Sequence, residues 1–274
     1  MATEQDHIVG FRTFLRWSLR APDGTTVTAV RAVDTATDPA HQGKGIFTKL
    51  TLRAIEELGA EGVRLVFNTP NAKSLPGYVK MGWSVLGRLP TAVMPTRARS
   101  LVALAKARAP AERWSIPTIV GEAAAAVFAD QPAIEQLLES CPPRRGLGTV
   151  RSREYLAWRY GLEPLHYRAL LAGASPSEGL VVFRLRQRGG AVEAVVCETL
   201  GPGERARSRR RLLRQVARLT GADYLIRLQR APLARGPFVR LPRTGPILAC
   251  RPLDGSAVPG LGAWDLSLGD VTLF

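Results

Sequence analysis

The chain has 274 residues, of which 46% are hydrophobic, so it is longer than one typical domain and can bury more than one apolar core. It contains no apolar run long enough to cross a membrane, and its first residues lack the basic and then apolar pattern of a signal peptide. These features predict a cytoplasmic protein of two domains and argue against a membrane partner.

Charge is the strongest compositional bias. The formal net charge of +15 would suit a nucleic-acid partner, but 33 of the 38 basic residues are arginines. Arginine together with abundant Ala, Gly and Pro is the bias of a GC-rich genome, so the charge says less about partners. The densest basic stretch, residues 205–218, reads as a helix with a solvated arginine face and lacks the interleaved aromatics of a base-stacking surface. The sequence therefore argues against a nucleic-acid partner, with contact to a polyanion as the alternative interpretation.

The cysteines and histidines argue against metal chemistry. The 3 cysteines lie far apart without a C-x-x-C pair, and the 3 histidines are too scattered for a ligand motif. The sequence therefore predicts no metal cofactor and no disulfide framework.

A strand, a loop and a helix follow one another early in the chain. The β-branched run at residues 27–33 predicts the strand, residues 38–47 form the loop, and apolar residues then recur at three- and four-residue intervals until Gly59. This order directs unpaired backbone N–H groups and the positive end of the helix dipole at a ligand over the loop, which favours a pyrophosphate. Gly43 and Gly45 would let the backbone approach it, although such a G-x-G pair is also common in plain turns.

Two motifs at a fixed spacing make the loop more specific. The first is Gln42-x-x-Gly45, and a predicted strand at residues 63–67 precedes the second. The second reads Asn71-x-x-Ser74-x-x-x-Tyr78-x-x-x-Gly82-Trp83. Together they resemble the loop and the turn-and-helix motif of the GCN5-related N-acetyltransferase (GNAT) superfamily. Phe47 stands where that family usually has Gly or Ala, and we expect it to pack inward and leave the loop clear.

The resemblance implies a binding site for acetyl-CoA and assigns residues to it. The loop residues implied to bind the pyrophosphate are Gln42, Gly43, Lys44, Gly45, Ile46 and Phe47. The backbone near Thr37, where the family's strand splays, is implied to contact the thioester and the oxyanion. Asn71 with Ser74 would hold the pantetheine arm, and Tyr78 would protonate the departing thiolate. Without the family, Tyr78 reads as a packing residue and Asn71 as the cap of the next helix.

Neither motif fixes the residue that deprotonates the amine. An alkyl ammonium has a pKa of about 10, so its proton must pass to a side chain or to a chain of waters. Asp34, late in the strand before the loop, is the base that we predict, and His41 is the second candidate. Each is also typical of a solvated loop residue.

The chain divides into three predicted segments. Residues 1–95 form the GNAT-like acetyl-CoA-binding domain, residues 96–113 a basic connector and residues 114–274 a second domain. The elements predicted for the second domain are a strand at 114–120, a helix at 123–139 broken near Pro132, a helix at 152–160, strands at 167–171, 180–188 and 191–199, a helix over the basic stretch and a strand at 224–228. The predicted fold class is α/β (α+β), with a mixed central sheet and flanking helices in each of two tandem copies.

An internal comparison supports the second copy. Residues 221–223 line up with residues 59–61 at an offset of 162 residues, and the two loop glycines then meet Arg205 and Arg207. Arginine does not adopt positive φ cheaply, so we expect this copy to be degenerate, to lack ordinary CoA binding and to serve packing or acceptor binding.

The first domain reads as short at its beginning. GNAT domains open with a strand and two helices that wall the acceptor pocket, whereas residues 8–12 already read as the family's second-to-third-strand region. An exposed sheet edge at residues 11–19 then predicts pairing with another strand, in a homodimer or in a tight interdomain sheet.

These observations predict an N-acetyltransferase that moves the acetyl group of acetyl-CoA directly to a primary amine. We expect a small acceptor, such as an amino sugar or a natural-product or metabolite amine, because residues 68–71 and 264–270 loosely resemble bacterial acetyltransferases of polysaccharide and natural-product pathways. Two alternatives stay open. One is a catalytically inert CoA-binding or scaffolding protein, and the other is an RNA-associated protein acting on aminoacyl-tRNA, whose affinity would fall steeply with salt.

Overall fold

The computed structural model describes residues 1–97, 100, 109–202, 206–229 and 237–272. Its strands are, in chain order, β1 (Ala2–Glu4), β2 (His7–Arg20), β3 (Thr26–Thr37), β4 (Leu65–Asn68), β5 (Ser84–Arg88), β6 (Thr91–Pro95), β7 (Glu122–Ala123), β8 (Gly148–Thr149), β9 (Arg168–Leu171), β10 (Leu180–Arg188), β11 (Ala191–Leu200), β12 (Tyr224–Leu228), β13 (Val239–Leu241) and β14 (Ile247–Pro252). Its helices are α1 (Ile46–Ala60), α2 (Leu75–Lys80), α3 (Ala124–Ala129), α4 (Gln131–Ser140), α5 (Arg153–Tyr160), α6 (Ala206–Thr220) and α7 (Leu268–Val271). None of the helices within these described ranges has both the length and the hydropathy needed to cross a membrane.

The chain folds into two compact units, each with its own sheet. Unit 1 consists of Met1–Leu89, Arg144–Val150 and Pro246–Asp265, and unit 2 of Pro90–Pro143, Arg151–Gly245 and Leu266–Phe274. The strand order is β1-β2-β3-β4-β14-β5 in unit 1, with β8 on β2, and β13-β6-β12-β11-β10-β9-β7 in unit 2. Mixed sheets with flanking helices confirm the predicted mixed α/β fold class.

The sheet of unit 1 opens between β3 and β4. These strands are parallel, but they pair only at residues 29–31 against residues 65–67. β3 continues along β2 to Thr37, so residues 32–37 run past the last pair with β4. Ligands of α/β sheets bind at the carboxyl ends of parallel strands, and this opening lies at those ends.

Helix α1 packs on this sheet through its apolar side. Thr51 and Ile55 are its buried residues, and Ile55 packs in one cluster with Val30, Val66 and Trp83. Full burial of a side chain such as Ile55 contributes about 1.5–3 kcal/mol, so this packing holds the start of α1 at the end of the loop.

The strand order of unit 2 repeats part of unit 1. In unit 2, β10 and β11 are antiparallel, α6 follows, and β12 then pairs in parallel with β11. In unit 1, β2 and β3 are likewise antiparallel, α1 follows, and β4 pairs in parallel with β3. Tandem GNAT-like domains would have this order, and the tandem arrangement stays a prediction. Of the arginines aligned with the loop glycines, Arg205 lies outside the described residues and Arg207 belongs to the first turn of α6.

Each sheet takes strands from distant parts of the chain. β6 joins the sheet of unit 2 between β13 and β12, whereas β8 and β14 join the sheet of unit 1 although they come late in the sequence. The ranges 1–95, 96–113 and 114–274 stay a prediction about domains, but the hydrogen-bonded sheets do not follow them. Most of the predicted connector lies outside the described residues.

The structure corrects one predicted element of unit 2 and refines another. The strand predicted at 114–120 is wrong, because in this stretch Ile116 makes only an isolated bridge to Leu185, and Pro117 has no N–H to extend it. The broken helix predicted at 123–139 is the pair α3 and α4, which meet at Asp130, whose carboxylate accepts from the Ala133 N–H.

β2 has an incompletely paired edge. On the side away from β3, β1 pairs with the first residues of β2, and β8 pairs with Leu19 and Arg20. Within the described part of the chain, no strand pairs with residues 11–17 on that side, so the open edge is shorter than the predicted 11–19. Pairing of this edge in a homodimer stays a prediction.

Candidate functional site

The loop between β3 and α1 holds both of its glycines in the left-handed region. Gly43 has a φ of 77° and Gly45 a φ of 74°. Residues with a side chain adopt this conformation at a cost of about 1–2 kcal/mol. Apart from the adjacent residues of the chain, an added Cβ at either position would meet no atom of the described residues within 4 Å. The glycines therefore serve the backbone conformation and leave the space above the loop open to a ligand.

The loop leads directly into the N-terminus of α1. Gly45 is the N-cap and gives no side-chain hydrogen bond, and Lys49 N donates to Gly45 O over 3.0 Å. The first-turn N–H groups and the positive end of the helix dipole therefore suit an anion. Gln42 Nε2 donates to the Thr37 carbonyl over 3.4 Å and ties the loop to the end of β3, while Lys44 is exposed on the loop. This arrangement fits a pyrophosphate.

The first two residues of α1 pack toward the sheet and the core. Ile46 approaches β2 so closely that a Cβ added at Gly10 would lie 2.7 Å from Ile46 Cγ2. Phe47 packs edge-on against Tyr78, with ring centroids 5.6 Å apart. The prediction that Phe47 packs inward is confirmed, so either residue would meet a pyrophosphate through its backbone N–H.

Tyr78 lies at the centre of a buried polar group. The residue is only 3% exposed, and its ring packs against Phe47 and Trp83. Arg12 Nη2 donates to the Tyr78 hydroxyl oxygen over 2.5 Å, and the Asn68 side chain bonds to the same hydroxyl. Both groups use the oxygen as an acceptor, which leaves the hydroxyl proton of Tyr78 for a further acceptor.

Arg12 is the site residue that the sequence analysis missed. Its Nη1 donates to the Val33 carbonyl over 2.7 Å, at a bulge where β3 has one more residue than β2. Its guanidinium lies 4.7 Å from the centroid of the Phe14 ring and 5.5 Å from that of Phe47. The sequence feature that could have pointed to Arg12 is a charged residue within the apolar part of a strand, but neither motif includes its position.

Burial and hydrogen bonding act in opposite directions on Tyr78. Burial raises the pKa of Tyr78 above its ordinary value of about 10, whereas Arg12 and Asn68 oppose this rise because they stabilise the phenolate. Tyr78 is therefore protonated at neutral pH. Arg12 makes the loss of its proton less costly, which is the behaviour that a proton donor needs.

The Arg12→Gln substitution should raise the pKa of Tyr78 further, because the charge that stabilises the phenolate is lost. If Tyr78 is the acid, kcat should also fall by about tenfold, which corresponds to about 1.4 kcal/mol. Ultraviolet titration of tyrosinate, with Tyr78→Phe as the reference, measures the pKa. The matched control is Arg16→Gln, since Arg16 lies exposed on the same strand and pairs with Glu61. Identical titrations for the Arg12 variant and the wild type would contradict this account.

Asn71 forms the turn that leads into α2. Its Oδ1 accepts from the backbone N–H groups of Lys73 and Ser74 over 3.0 and 2.9 Å, and from the Ser74 hydroxyl over 3.2 Å. This is the capping role that the sequence also allowed. The contact of Asn71 and Ser74 with pantetheine stays a prediction, for which the Nδ2 group of Asn71 is the available donor.

The two candidate bases have different surroundings. Asp34 is exposed near the bulge of β3, and its charge acts on Arg12. His41 is held at both ring nitrogens, with Nδ1 3.0 Å from Asp38 Oδ1 and Nε2 2.6 Å from Glu4 Oε2. His41 is thus placed to order the loop, and Asp34 stays the predicted base.

The pKa of His41 is raised by its hydrogen bond to Asp38 first and by the one to Glu4 second. A raised pKa means that protonated His41 stabilises the loop fully below about pH 6.5, and that this contribution is lost as the pH rises through the folded-state pKa. We expect an NMR titration to place the pKa of His41 above 6.5, and Asp38→Asn to lower it more than Glu4→Gln. Equal pKa values of His41 in the wild type and both variants would show that these two hydrogen bonds do not raise it.

The opening between β3 and β4 has features that a bound acyl-CoA would complete. Asn68, at the end of β4, has a buried Oδ1 atom to which no described residue donates a hydrogen bond, and the loop glycines leave space for a phosphate group. The residues present therefore fit this cosubstrate. In the part of the chain that the structure describes, no three His, Cys, Asp or Glu side chains are grouped as metal ligands.

Comparison with known proteins gives a match for one domain and for the fold. Residues 1–86 match the family model of the acetyltransferase (GNAT) domain, and no curated protein matches the chain. The solved GCN5-related N-acetyltransferase of Kribbella flavida is 15% identical, with a TM-score of 0.59 over 92% of this chain. That of Anabaena variabilis ATCC 29413 is 12% identical, with a TM-score of 0.60 over 91%. A probable N-acyltransferase of Enterococcus faecalis V583 is 13% identical, with a TM-score of 0.61 over 91%.

These similarities establish a fold and a domain. The chain shares the fold of structures called GCN5-related N-acetyltransferases, and its first 86 residues match a GNAT acetyltransferase domain. It spans 59%, 61% and 60% of the lengths of the three solved chains, respectively.

Proposed function

We propose that this protein transfers an acetyl group from acetyl-CoA directly to a primary amine of a small molecule. The observation that carries the proposal is the link between loop and acid. Phe47, in the first turn after Gly45, packs on Tyr78, so one compact segment joins an open glycine loop to a buried phenol. The match of residues 1–86 to the GNAT domain supports the same chemistry.

Acetyl-CoA supplies a thioester, whose acyl group reacts with a neutral amine. In this proposal, the glycine loop and the first turn of α1 hold its pyrophosphate, and the Asn71 amide holds the pantetheine arm. The backbone near Thr37 donates to the carbonyl oxygen as negative charge develops on it. Phe47 and Trp83 pack against the ring of Tyr78 and hold it in place.

Tyr78 gives its proton to the sulfur as the C–S bond breaks and the C–N bond to the amine forms. Arg12 and Asn68 then stabilise the phenolate with the hydrogen bonds that they already make. Asp34 takes the proton of the amine through water, since Asp34 is exposed. Solvent returns the proton to Tyr78 after the product leaves.

An assay of thiol release over a panel of primary amines tests this function, with the product identified by mass spectrometry. We expect release of free CoA to depend on one class of amine and to yield the N-acetylated amine in equal amount. Binding of acetyl-CoA without turnover across the panel would contradict transfer and support an inert CoA-binding protein. Acetylation confined to aminoacyl-tRNA, with a steep salt dependence, would replace the small acceptor with RNA.

A further inference from the structure

The core of unit 2 contains an arginine that pairs with no carboxylate in the described part of the chain. Arg184, in the middle of β10, is 0% exposed, and its Nε and Nη2 atoms have no hydrogen-bond partner among the residues that the structure describes. Its Nη1 makes a long bond of 3.4 Å to the Arg113 carbonyl, and the guanidinium lies 5.7 Å from the centroid of the Tyr167 ring. A buried guanidinium is costly unless its donors and its charge are both satisfied, so this position calls for an anion.

The two unpaired atoms of Arg184 define the kind of anion. Nε and Nη2 lie on one edge of the planar guanidinium, and their N–H bonds run parallel. The two oxygens of a carboxylate match this edge and accept one bond each. A single carbonyl or hydroxyl oxygen would satisfy one donor well and would leave the charge uncompensated.

The neighbouring carboxylates pair with other arginines. Among the described residues of unit 2, the buried carboxylates pair as follows: Glu193 with Arg186 and Arg188, and Glu198 and Asp270 with Arg151. Glu193 therefore already serves two cations. None of these ion pairs includes Arg184, so its charge lacks a carboxylate among the described residues.

A second buried arginine increases the local positive charge. Arg159 acts electrostatically on Arg184 and lies near the same ring, that of Tyr167. It donates to the Tyr167 hydroxyl and to the backbone carbonyls of Gly269 and Thr272. These partners are neutral, so this side of the unit 2 sheet carries positive charge that one bound anion would offset.

A short segment lies beside β10 and contacts Arg184. Residues 109–116 have no helix or strand and only isolated bridges to β10, with backbone bonds from Glu112 to Gln187 and from Ile116 to Leu185. Arg113, whose carbonyl receives the Arg184 bond, is exposed, and so is Trp114. A segment held by few backbone bonds opens more readily than the sheet beside it.

We propose that Arg184 binds a small monocarboxylate through its Nε and Nη2 atoms, beneath residues 109–116. The ligand's two oxygens accept from these atoms, and its single charge matches the uncompensated guanidinium. A dianion such as sulfate would lose more hydration energy on burial than one cation returns, so it should bind less well. This site belongs to unit 2 and does not depend on acetyl-CoA.

Thermal unfolding in sodium propionate, compared with sodium chloride and sodium sulfate at equal ionic strength, tests the proposal. Sulfate should raise the Tm equally in the wild type and in Arg184→Met, because it stabilises folded proteins in general by exclusion from their surface, and chloride should not raise it. At about one hundred times the dissociation constant, propionate should raise the Tm of the wild type by roughly 5–10 °C. Arg184→Met should abolish the rise, and Arg184→Lys should lose most of it because it keeps the charge without the two-donor edge. Arg240→Met, at an exposed arginine of β13, should respond as the wild type does. Propionate should also slow amide exchange at residues 109–116.

Two results would overturn this site. The first is a wild-type Tm that responds equally to propionate and chloride. The second is a propionate response that survives in Arg184→Met, which would place the effect elsewhere. If Arg184→Met does not fold, as judged by circular dichroism, the Arg184→Lys variant decides between the same outcomes.

Discussion

The Gly45→Arg substitution should weaken the binding of acetyl-CoA by on the order of 100-fold or more, about 2.8 kcal/mol. Gly45 has a φ of 74°, and a Cβ there would have no described atom within 4 Å apart from its chain neighbours. In our account the pyrophosphate lies in the space that this Cβ would enter. The added positive charge would by itself favour an anion, so a loss of affinity would report on the shape of the loop.

Gly24 supplies a matched control for Gly45. It has a φ of 86°, and a Cβ added to it also meets no atom within 4 Å, but it lies in the turn between β2 and β3. Gly24→Arg should therefore carry similar backbone strain of about 1–2 kcal/mol and bind acetyl-CoA as the wild type does. Calorimetric titration of the wild type, Gly45→Arg and Gly24→Arg with acetyl-CoA separates the effect of backbone strain from that of a blocked binding site. Unchanged affinity in Gly45→Arg would exclude the loop from binding.

The Tyr78→Phe substitution should lower kcat by about 100- to 1,000-fold and leave the Kd for acetyl-CoA within about twofold, because a general acid acts in the chemical step. Phenylalanine fills the same space, but Arg12 Nη2 loses its acceptor. Unfolding free energy should therefore also fall, by about 1–3 kcal/mol. Rates should be measured well below the Tm of the variant.

The pH profile gives Tyr78 a second and independent readout. Burial raises its pKa, so the fall in wild-type kcat that comes from ionisation of the Tyr78 phenol should occur at alkaline pH. Tyr78→Phe should lack that decline. Tyr160→Phe is the matched control, since Tyr160 is a buried tyrosine of unit 2 whose hydroxyl has no hydrogen-bond partner within the described ranges. Equal kcat values for Tyr78→Phe and the wild type across pH would remove Tyr78 from the mechanism.

The parts of the site that the sequence predicted depend on local conformation. Gly43 and Gly45 have the positive φ that a close approach of the backbone requires, and α1 follows as its apolar spacing predicted. Asn71 and Tyr78 lie at the start and inside the turn-and-helix segment that their motif describes. Such features arise from a few neighbouring residues, so motif spacing is enough to find them.

The parts that the sequence did not reveal depend on contacts between distant residues. Arg12 and Tyr78 are 66 residues apart, and neither position carries a local signal of the other. β14 pairs with β4 and β5, although it lies far from them in the sequence. Dividing the chain at residue 95 separates β14 from these two strands, so the predicted domains did not include this pairing. The apolar stretch at 114–120 resembled a strand, but it makes one isolated bridge to β10.

Hydrogen exchange in the presence and absence of acetyl-CoA would test most directly whether unit 1 holds the acyl-CoA site. We expect slower exchange at residues 32–37, at residues 43–48 and in the turn at residues 71–78, all of which belong to unit 1. The first turn of α6, in the corresponding place of unit 2, should not change. Protection at α6 without protection at residues 43–48, under conditions where acetyl-CoA is bound, would contradict the account.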